Sequence, residues 1–246
     1  MTALHELVRW CDQALDVASF DDYCPNGLQV EAGRQVQNLV SGVTASQALI
    51  DAAAAAGADT LLVHHGYFWK GEPQPLTGMK GQRVASLFRH GINLIAYHLP
   101  LDAHPEWGNN RQLGEQLGLA GAPVATGSLV WRAPWDDSVD ALQRRLATSL
   151  GRAPLHLPGG PQHIRHVAWC TGAAQGYITQ AAAGGCDAFI SGEVSEHTAH
   201  EAAELGLHYF GAGHHATERY GVQALGTALA ARFGISHRFI DIPNPV

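Results

Sequence analysis

No apolar run in the sequence approaches the roughly 20 residues that a bilayer-spanning helix needs, and the start, Met1-Thr-Ala-Leu-His-Glu-Leu7, lacks the basic and apolar regions of a secretory signal. The chain is therefore read as cytoplasmic, with no membrane partner. Cysteine is sparse: Cys11, Cys24, Cys170 and Cys186 form no C-x-x-C pair. They read as reduced core thiols, which excludes a disulfide scaffold or a zinc finger. Charge is also scarce, at 15% of 246 residues with a net charge of -7, so no general electrostatic pull toward nucleic acid supports such a partner. A Gly-rich phosphate loop of the P-loop kind is absent.

What is abundant is histidine, 15 residues against 15 Lys plus Arg, spread along the chain with two adjacent pairs, His64-His65 and His214-His215. Histidine is the commonest metal ligand near neutral pH. With 46% hydrophobic residues, the chain has ample material for a core.

Apolar residues at helical spacing predict a helix over Leu4–Leu15, and Asp21–Gly27 reads as a turn-rich loop. Strands are expected at 28–30, 38–43, 60–63 and 92–97, separated by an Ala-rich helix over 46–56, a long loop over 66–81 and a helix over 82–89. Asn110 reads as the cap of a helix over 111–117. Residues 123–134 read as a loop-strand passage and lobe boundary, followed by a helix to Leu150. Strands at 166–171, 188–190 and 207–210 then alternate with helices over 173–183, up to Leu205, and over 222–233. This alternation argues for an α/β fold with a largely parallel sheet, in which ligands bind beyond the carboxyl ends of the strands.

The two halves of the sequence resemble each other. Asn38–Gly66 lies over His166–Val194 without a gap at an offset of 128 residues, matching Ala45, Gln47, Ile50, Gly57 and Asp59 with Ala173, Gln175, Ile178, Gly185 and Asp187. On that overlay His64-His65 fall on Gly192-Glu193. With one residue of slip, His98-x-x-x-Asp102 lies over His214-x-x-x-Glu218. The expectation is two similar α/β lobes, about 1–125 and 126–246, related by a pseudo-two-fold axis with a metal cleft between them.

The candidate metal ligands are His64, His65, Asp102, His214 and Glu218, with His98 nearby. Three imidazoles and two carboxylates can equip two divalent ions sharing a bridge, and mixed nitrogen and oxygen donors suit zinc, iron or manganese and suit calcium poorly. Two such ions are a recurring hydrolytic device. Glu218 has the reach to bridge and Asp102 reads as terminal; which of His64 and His65 serves which ion stays open, because successive strand residues point to opposite faces unless the strand has ended. Taken singly, each piece has a plainer reading: Asp102 as a turn residue, Glu193 as a cap of the helix near Ser195, His197 and His200 as exposed. Glu193 and His98 are also candidates for supporting the ligands or carrying protons.

Four motifs, Leu62-Val-His-His-Gly-Tyr-Phe-Trp69, His98-Leu-Pro-Leu-Asp102 with Gly108-Asn-Asn110, Ile190-Ser-Gly-Glu-Val-Ser-Glu-His197 and Gly213-His-His-Ala-Thr-Glu218, resemble the Nif-three-like family, whose members are often labelled type 2 GTP cyclohydrolase I homologues. The resemblance spans nearly the whole chain. It implies a dinuclear metal site on the same five residues and a toroidal homohexamer with sites facing an inner cavity. It also implies metal-assisted hydrolytic attack on a purine nucleotide ring, that of GTP. Many members carry Pro after the paired histidines where this chain has Gly66, and the chain is too short for the extra domain of longer members. Both departures bear on the substrate more than on the metals. The alternatives are a hydrolase of another nucleotide or phosphoester, and a ring-shaped metal-binding regulatory or nucleic-acid-associated protein.

Overall fold

Short apolar strands followed by Ala-rich helices can bury both strand faces only if helices cover the sheet on each side, and the chain does this twice. The computed structural model describes residues 1–246. The chain folds into two compact units, Met1–Trp107 with Gly221–Pro243, and Gly108–Tyr220 with Asn244–Val246. The expected halves met near residue 125; here the change falls at Trp107, and residues 221–243 return to the first unit.

The first unit is built on a five-stranded sheet in the order Ser236–Phe239, Asn38–Thr44, Thr60–His65, Asn93–Ala96, Gly27–Val30. The first four strands are parallel and Gly27–Val30 is antiparallel to its neighbour. Side chains alternate along each strand: Leu39, Leu62 and Ile95 pack with helices Leu4–Ala14 and Arg219–Phe233, whereas Val40, Leu61, Val63 and Leu94 pack with helices Gln47–Ala55 and Gly78–His90. Helix Gln47–Ala55 starts because Ser46 Oγ accepts the Leu49 N–H at 3.2 Å. Fully burying one of these aliphatic side chains stabilises the fold by about 1.5–3 kcal/mol, so Leu62→Ala, at 0% exposure, is a change that would break this layer. The C-terminal strand, Ser236–Phe239, escapes the sequence reading because its alternation of Ser, His, Arg and Phe carries no apolar stripe.

The second unit has a six-stranded sheet in the order Ala122–Pro123, Trp131–Ser138, His163–Cys170, Ala188–Ser191, His208–Gly211, Leu155–Leu157. Its central three strands are parallel and the flanking ones antiparallel. One face packs on helices Asn109–Leu117 and Val139–Leu150 through Val167, Trp169, Ile190 and Phe210; the other packs on Ile178–Ala183 and Thr198–Leu205 through Ala168, Phe189 and Tyr209. Helix Asn109–Leu117 has Gly108, not Asn110, at its cap; the Asn110 side chain accepts the Thr171 N–H at 2.9 Å.

The sequence repeat is a repeat of topology and register. Leu39 pairs with Thr60 in the first sheet and Val167 with Ala188 in the second, each 128 residues apart from its counterpart. Asp59 accepts the N–H groups of Gln37 and Asn38 at 2.8 and 2.9 Å, and Asp187 accepts those of Arg165 and His166 at 2.7 and 3.2 Å, the same clamp at the same offset. In each unit a strand from earlier in the chain, Gly27–Val30 in the first and Leu155–Leu157 in the second, lies antiparallel beside the third parallel strand in chain order.

Candidate metal centre

The candidate ligands stand at the carboxyl end of a parallel strand or on the short helical segment that follows it. In the first unit His64 and His65 end strand Thr60–His65, and Asp102 lies on the short helix Leu99–Ala103. The two imidazoles do not diverge as successive strand residues would. Their rings lie 4.6 Å apart with planes tilted by 46°. His64 is fully buried, and its Nδ1 lies 2.8 Å from the Tyr97 carbonyl oxygen. A carbonyl only accepts, so Nδ1 carries a proton, and Nε2 faces Asp102 Oδ1 at 3.5 Å. His65 Nδ1 is held at 3.1 Å from Thr44 Oγ1, at the end of the neighbouring strand. His64, His65 and His98 each offer a ring nitrogen, all within 4.8 Å of one another.

In the second unit His214 opens the short helix His214–Thr217 and Glu218 follows its end. The four-residue spacing does what helical geometry predicts: His214 Nε2 lies 3.0 Å from Glu218 Oε2. On the other side of the ring, His214 Nδ1 is 2.6 Å from Glu193 Oε1. Burial works against charge on His214, but the bonds and charges of Glu218 and then Glu193 outweigh it and push its pKa up to about 9. Unliganded at neutral pH, it is an imidazolium between two carboxylates, and loss of the Nε2 proton frees a lone pair aimed where Glu218 also points.

Two glycines make room for this pair. Gly172, in the left-handed region at φ +69°, follows strand His163–Cys170; a Cβ there would overlap Glu218 Oε1 and lie 3.2 Å from His214 Nε2. At Gly192 a Cβ would meet His214 Cα at 2.6 Å. By the 128-residue offset Gly172 takes the place of Thr44, Gly192 that of His64 and Glu193 that of His65.

The donor sets fit divalent ions. With bonds of about 2.1 Å, ligand atoms sit ~3.0 Å apart on an octahedral edge and ~3.4 Å apart on a tetrahedral one; the imidazole–carboxylate pairs measure 3.0 Å for His214–Glu218 and 3.5 Å for His64–Asp102. The first unit thus brings together His64, His65 and Asp102 with His98 beside them, and the second brings together His214 and Glu218 with Glu193 behind them.

Sequence reasoning missed Asp22. This buried carboxylate accepts from His98 Nδ1 at 2.7 Å, Leu99 N at 2.9 Å, Asn26 Nδ2 at 2.8 Å and Tyr23 N at 2.6 Å, while Asn26 Oδ1 takes the His98 N–H at 2.7 Å. Burial alone would raise its pKa; the bond from His98, then those from Asn26 and Tyr23, bring it down from 3.8 to about 2. Gly66 also has a local reason: a Cβ there would overlap the Gln29 amide and approach Ala96 Cβ to 2.7 Å. Gln29 in turn bonds Tyr67 N and the carbonyls of Pro25 and Tyr67.

Each of the two α/β/α units carries at its strand ends an imidazole–carboxylate pair that could hold a metal ion, in keeping with the sequence motifs. Residues 2–245 match the Duf34/NIF3 (NGG1p interacting factor 3) family, and the chain belongs to that family. It is 55% identical to a protein of Allochromatium vinosum, covering 100% of this chain and 98% of that one, and 49% identical to one of Escherichia coli K12, covering 98% of each. Both are named GTP cyclohydrolase 1 type 2 homolog. Among solved structures it resembles protein ybgI, of unknown function (48% identity, TM-score 0.96), and TTHA1606 from Thermus thermophilus (38% identity, TM-score 0.92), each match covering 100% of both chains. The fold extends to HcgD from Methanocaldococcus jannaschii at 21% identity and TM-score 0.85, covering 98% of both chains.

Proposed function

We propose that this protein is a dinuclear-metal-dependent hydrolase acting on a purine nucleotide ring, with GTP as the first substrate to test. One observation carries this reading. Each unit presents an imidazole whose Nδ1 is tied to an acceptor and whose Nε2 faces a carboxylate, His64 between Tyr97 O and Asp102, and His214 between Glu193 and Glu218. Structural imidazoles rarely need both an anchored tautomer and a carboxylate on the remaining nitrogen; metal ligands usually have the first. The names of the relatives from Allochromatium vinosum and Escherichia coli support the choice of GTP.

In this reading His64, His65, Asp102, His214 and Glu218 serve one centre for two divalent ions, zinc, iron or manganese by their donor types. When bound, such ions supply Lewis acidity and lower the pKa of water. The residues of the chain set the geometry. Tyr97 O and Thr44 orient the two imidazoles of the first unit, and Glu193 orients that of the second. Glu218, with two carboxylate oxygens, would be the ligand shared by the two ions, and Asp102 would serve one of them. The protein acts as a cytoplasmic homohexamer, on the strength of the family resemblance. The test is metal content per chain together with formate release from GTP by the purified protein, with and without chelator. Two metals per chain and chelator-sensitive formate release support the proposal. Turnover confined to other nucleotides or phosphoesters moves the substrate. Full metal occupancy with no turnover of any, alongside salt-dependent DNA or RNA binding, supports the regulatory reading instead.

A further inference from the structure

His98 is outside the proposed ligand set, yet it is among the most firmly positioned side chains of the first unit. Asp22 bonds its Nδ1, Asn26 bonds its backbone N–H, and its side chain is 15% exposed. With Nδ1 donating to Asp22, the neutral ring presents Nε2 as an acceptor. Two aromatic rings stand around it. The Trp69 ring meets it edge to face at 5.0 Å and 83°, and the Tyr23 ring lies at 6.3 Å and 63°. Both rings sit on fastened loops. Trp69 Nε1 donates to Gly66 O at 3.2 Å, Tyr23 O accepts the Lys70 N–H at 2.7 Å, and Gln29 ties the Tyr67 backbone to Pro25. Tyr23 is nevertheless 61% exposed, a large ring on a rigid loop with little packing of its own. Lys70, the cation on these loops, is exposed and paired with Asp21 at 2.8 Å, and around His98 itself the segment offers flat faces and one polar nitrogen.

We propose that Tyr23, Trp69 and His98 form a subsite for a planar heteroaromatic ring, the aromatic faces holding the ring and His98 Nε2 accepting a hydrogen bond from a ring N–H or exocyclic amine. Aromatic faces bind flat nitrogen heterocycles with little regard to substituents, and one acceptor fixes the in-plane orientation. Asp22 is a positioning residue here: it holds the imidazole in the tautomer that accepts. The subsite deepens the hydrolase reading and rests on it only for placing the ring beside His64 and His65.

The test is binding, followed by calorimetry or ligand NMR on the purified full chain, with guanosine as a ring without phosphate and inorganic tripolyphosphate as phosphate without a ring. Saturable guanosine binding is expected. Trp69→Ala should weaken it by about 5- to 150-fold, the range of aromatic stacking removed by alanine, whereas Trp69→Phe, which keeps a flat face, should stay within about threefold of wild type. Asp22→Asn should weaken guanosine and leave any tripolyphosphate binding unchanged. No saturable guanosine binding by wild type, wild-type affinity in Trp69→Ala, or equal loss in Trp69→Phe and Trp69→Ala would overturn the subsite. Ring binding that survives in a protein without turnover would sink the hydrolase reading alone. Turnover of GTP with unchanged KM in Trp69→Ala would sink the subsite alone.

Discussion

Gly172→Ala is the most direct probe of the geometry around Glu218. The substitution has two separable effects. An alanine held at φ +69° costs about 1–2 kcal/mol of backbone strain. Its methyl group would also fall on Glu218 Oε1, and the carboxylate is buried at 3% exposure, so the side chain must swing away from His214. Separating a buried charge pair costs about 3–5 kcal/mol, and relaxation of the loop should recover part of that, leaving ~2–4 kcal/mol. Gly206→Ala is the matched control: Gly206 also has φ +69°, ends helix Thr198–Leu205, and has open space where the Cβ would go. For a chain of this size each kcal/mol lowers Tm by about 2–4 °C. Thermal unfolding in chelator should therefore show Gly206→Ala down by about 2–8 °C and Gly172→Ala down by a further ~4–16 °C. Metal retained after dialysis should fall in Gly172→Ala only. The imidazole resonance of His214, followed by NMR in the metal-free protein, should titrate well below about 9 once the carboxylate has moved. If the two variants unfold together and retain metal equally, the packing of Gly172 against Glu218 does not govern the site.

Three further outcomes are expected. Glu218→Gln should lose both metals on dialysis while Asp102→Asn retains about half the wild-type content; two metals at wild-type affinity in Glu218→Gln would end the bridging role. Asp22 has a folded pKa near 2 against 3.8, so its contribution of about 2 kcal/mol is present above pH 3.8 and is lost as pH falls through 2. Denaturant unfolding of Asp22→Asn should accordingly differ from wild type at pH 6 and converge with it near pH 2, and a constant gap would refute this. Asp59→Ala and Asp187→Ala each remove a carboxylate that clamps two backbone N–H groups. Each should cost about 1–3 kcal/mol, and a large loss in one with none in the other would show that the two clamps are not equivalent.

The sequence makes the framework readable where both faces of a strand are buried. Thr60–Val63 and Ala188–Ile190 are short apolar runs followed by polar residues, and the register between Leu39 and Thr60 recurs between Val167 and Ala188 because these runs have no freedom to slip. The strand-end position of His64 and His65 follows for a related reason: polar side chains that close a buried strand have to face its end. Strands outside the central parallel ones carried no such signal. Leu155–Leu157 and Ser236–Phe239 alternate too weakly, and Trp131–Ser138 contains Pro134, which a strand read from sequence would not be given. Asp22 looks like one more turn residue in Asp21-Asp-Tyr-Cys-Pro-Asn-Gly27, since its partner His98 is 76 residues away. Gly172 looks like a helix start; only the approach of Glu218 gives it a role.

The repeated architecture also explains why the two ligand sets differ. In the first unit the strand-end positions hold His64 and His65, Thr44 stands at the end of the adjacent strand, and His98 lies at the cap of the following helix. At the matching positions the second unit has Gly192, Glu193 and Gly172, and its imidazole comes one residue after the cap, at His214. These changes depend on one another. An imidazole at position 192 cannot coexist with the backbone of His214, which a bare Cβ there would already meet at 2.6 Å, and a side chain at position 172 would take the space of the Glu218 carboxylate. Once both positions are glycine, the helix start can close on the sheet, and Glu193, in the place of His65, becomes an acceptor for His214 Nδ1. The first unit is left rich in nitrogen donors and the second rich in carboxylate. Under the proposed function, that asymmetry would put the charge-neutralising and bridging duties on Glu218. In the first unit the imidazoles are oriented by the backbone carbonyl of Tyr97 and the hydroxyl of Thr44.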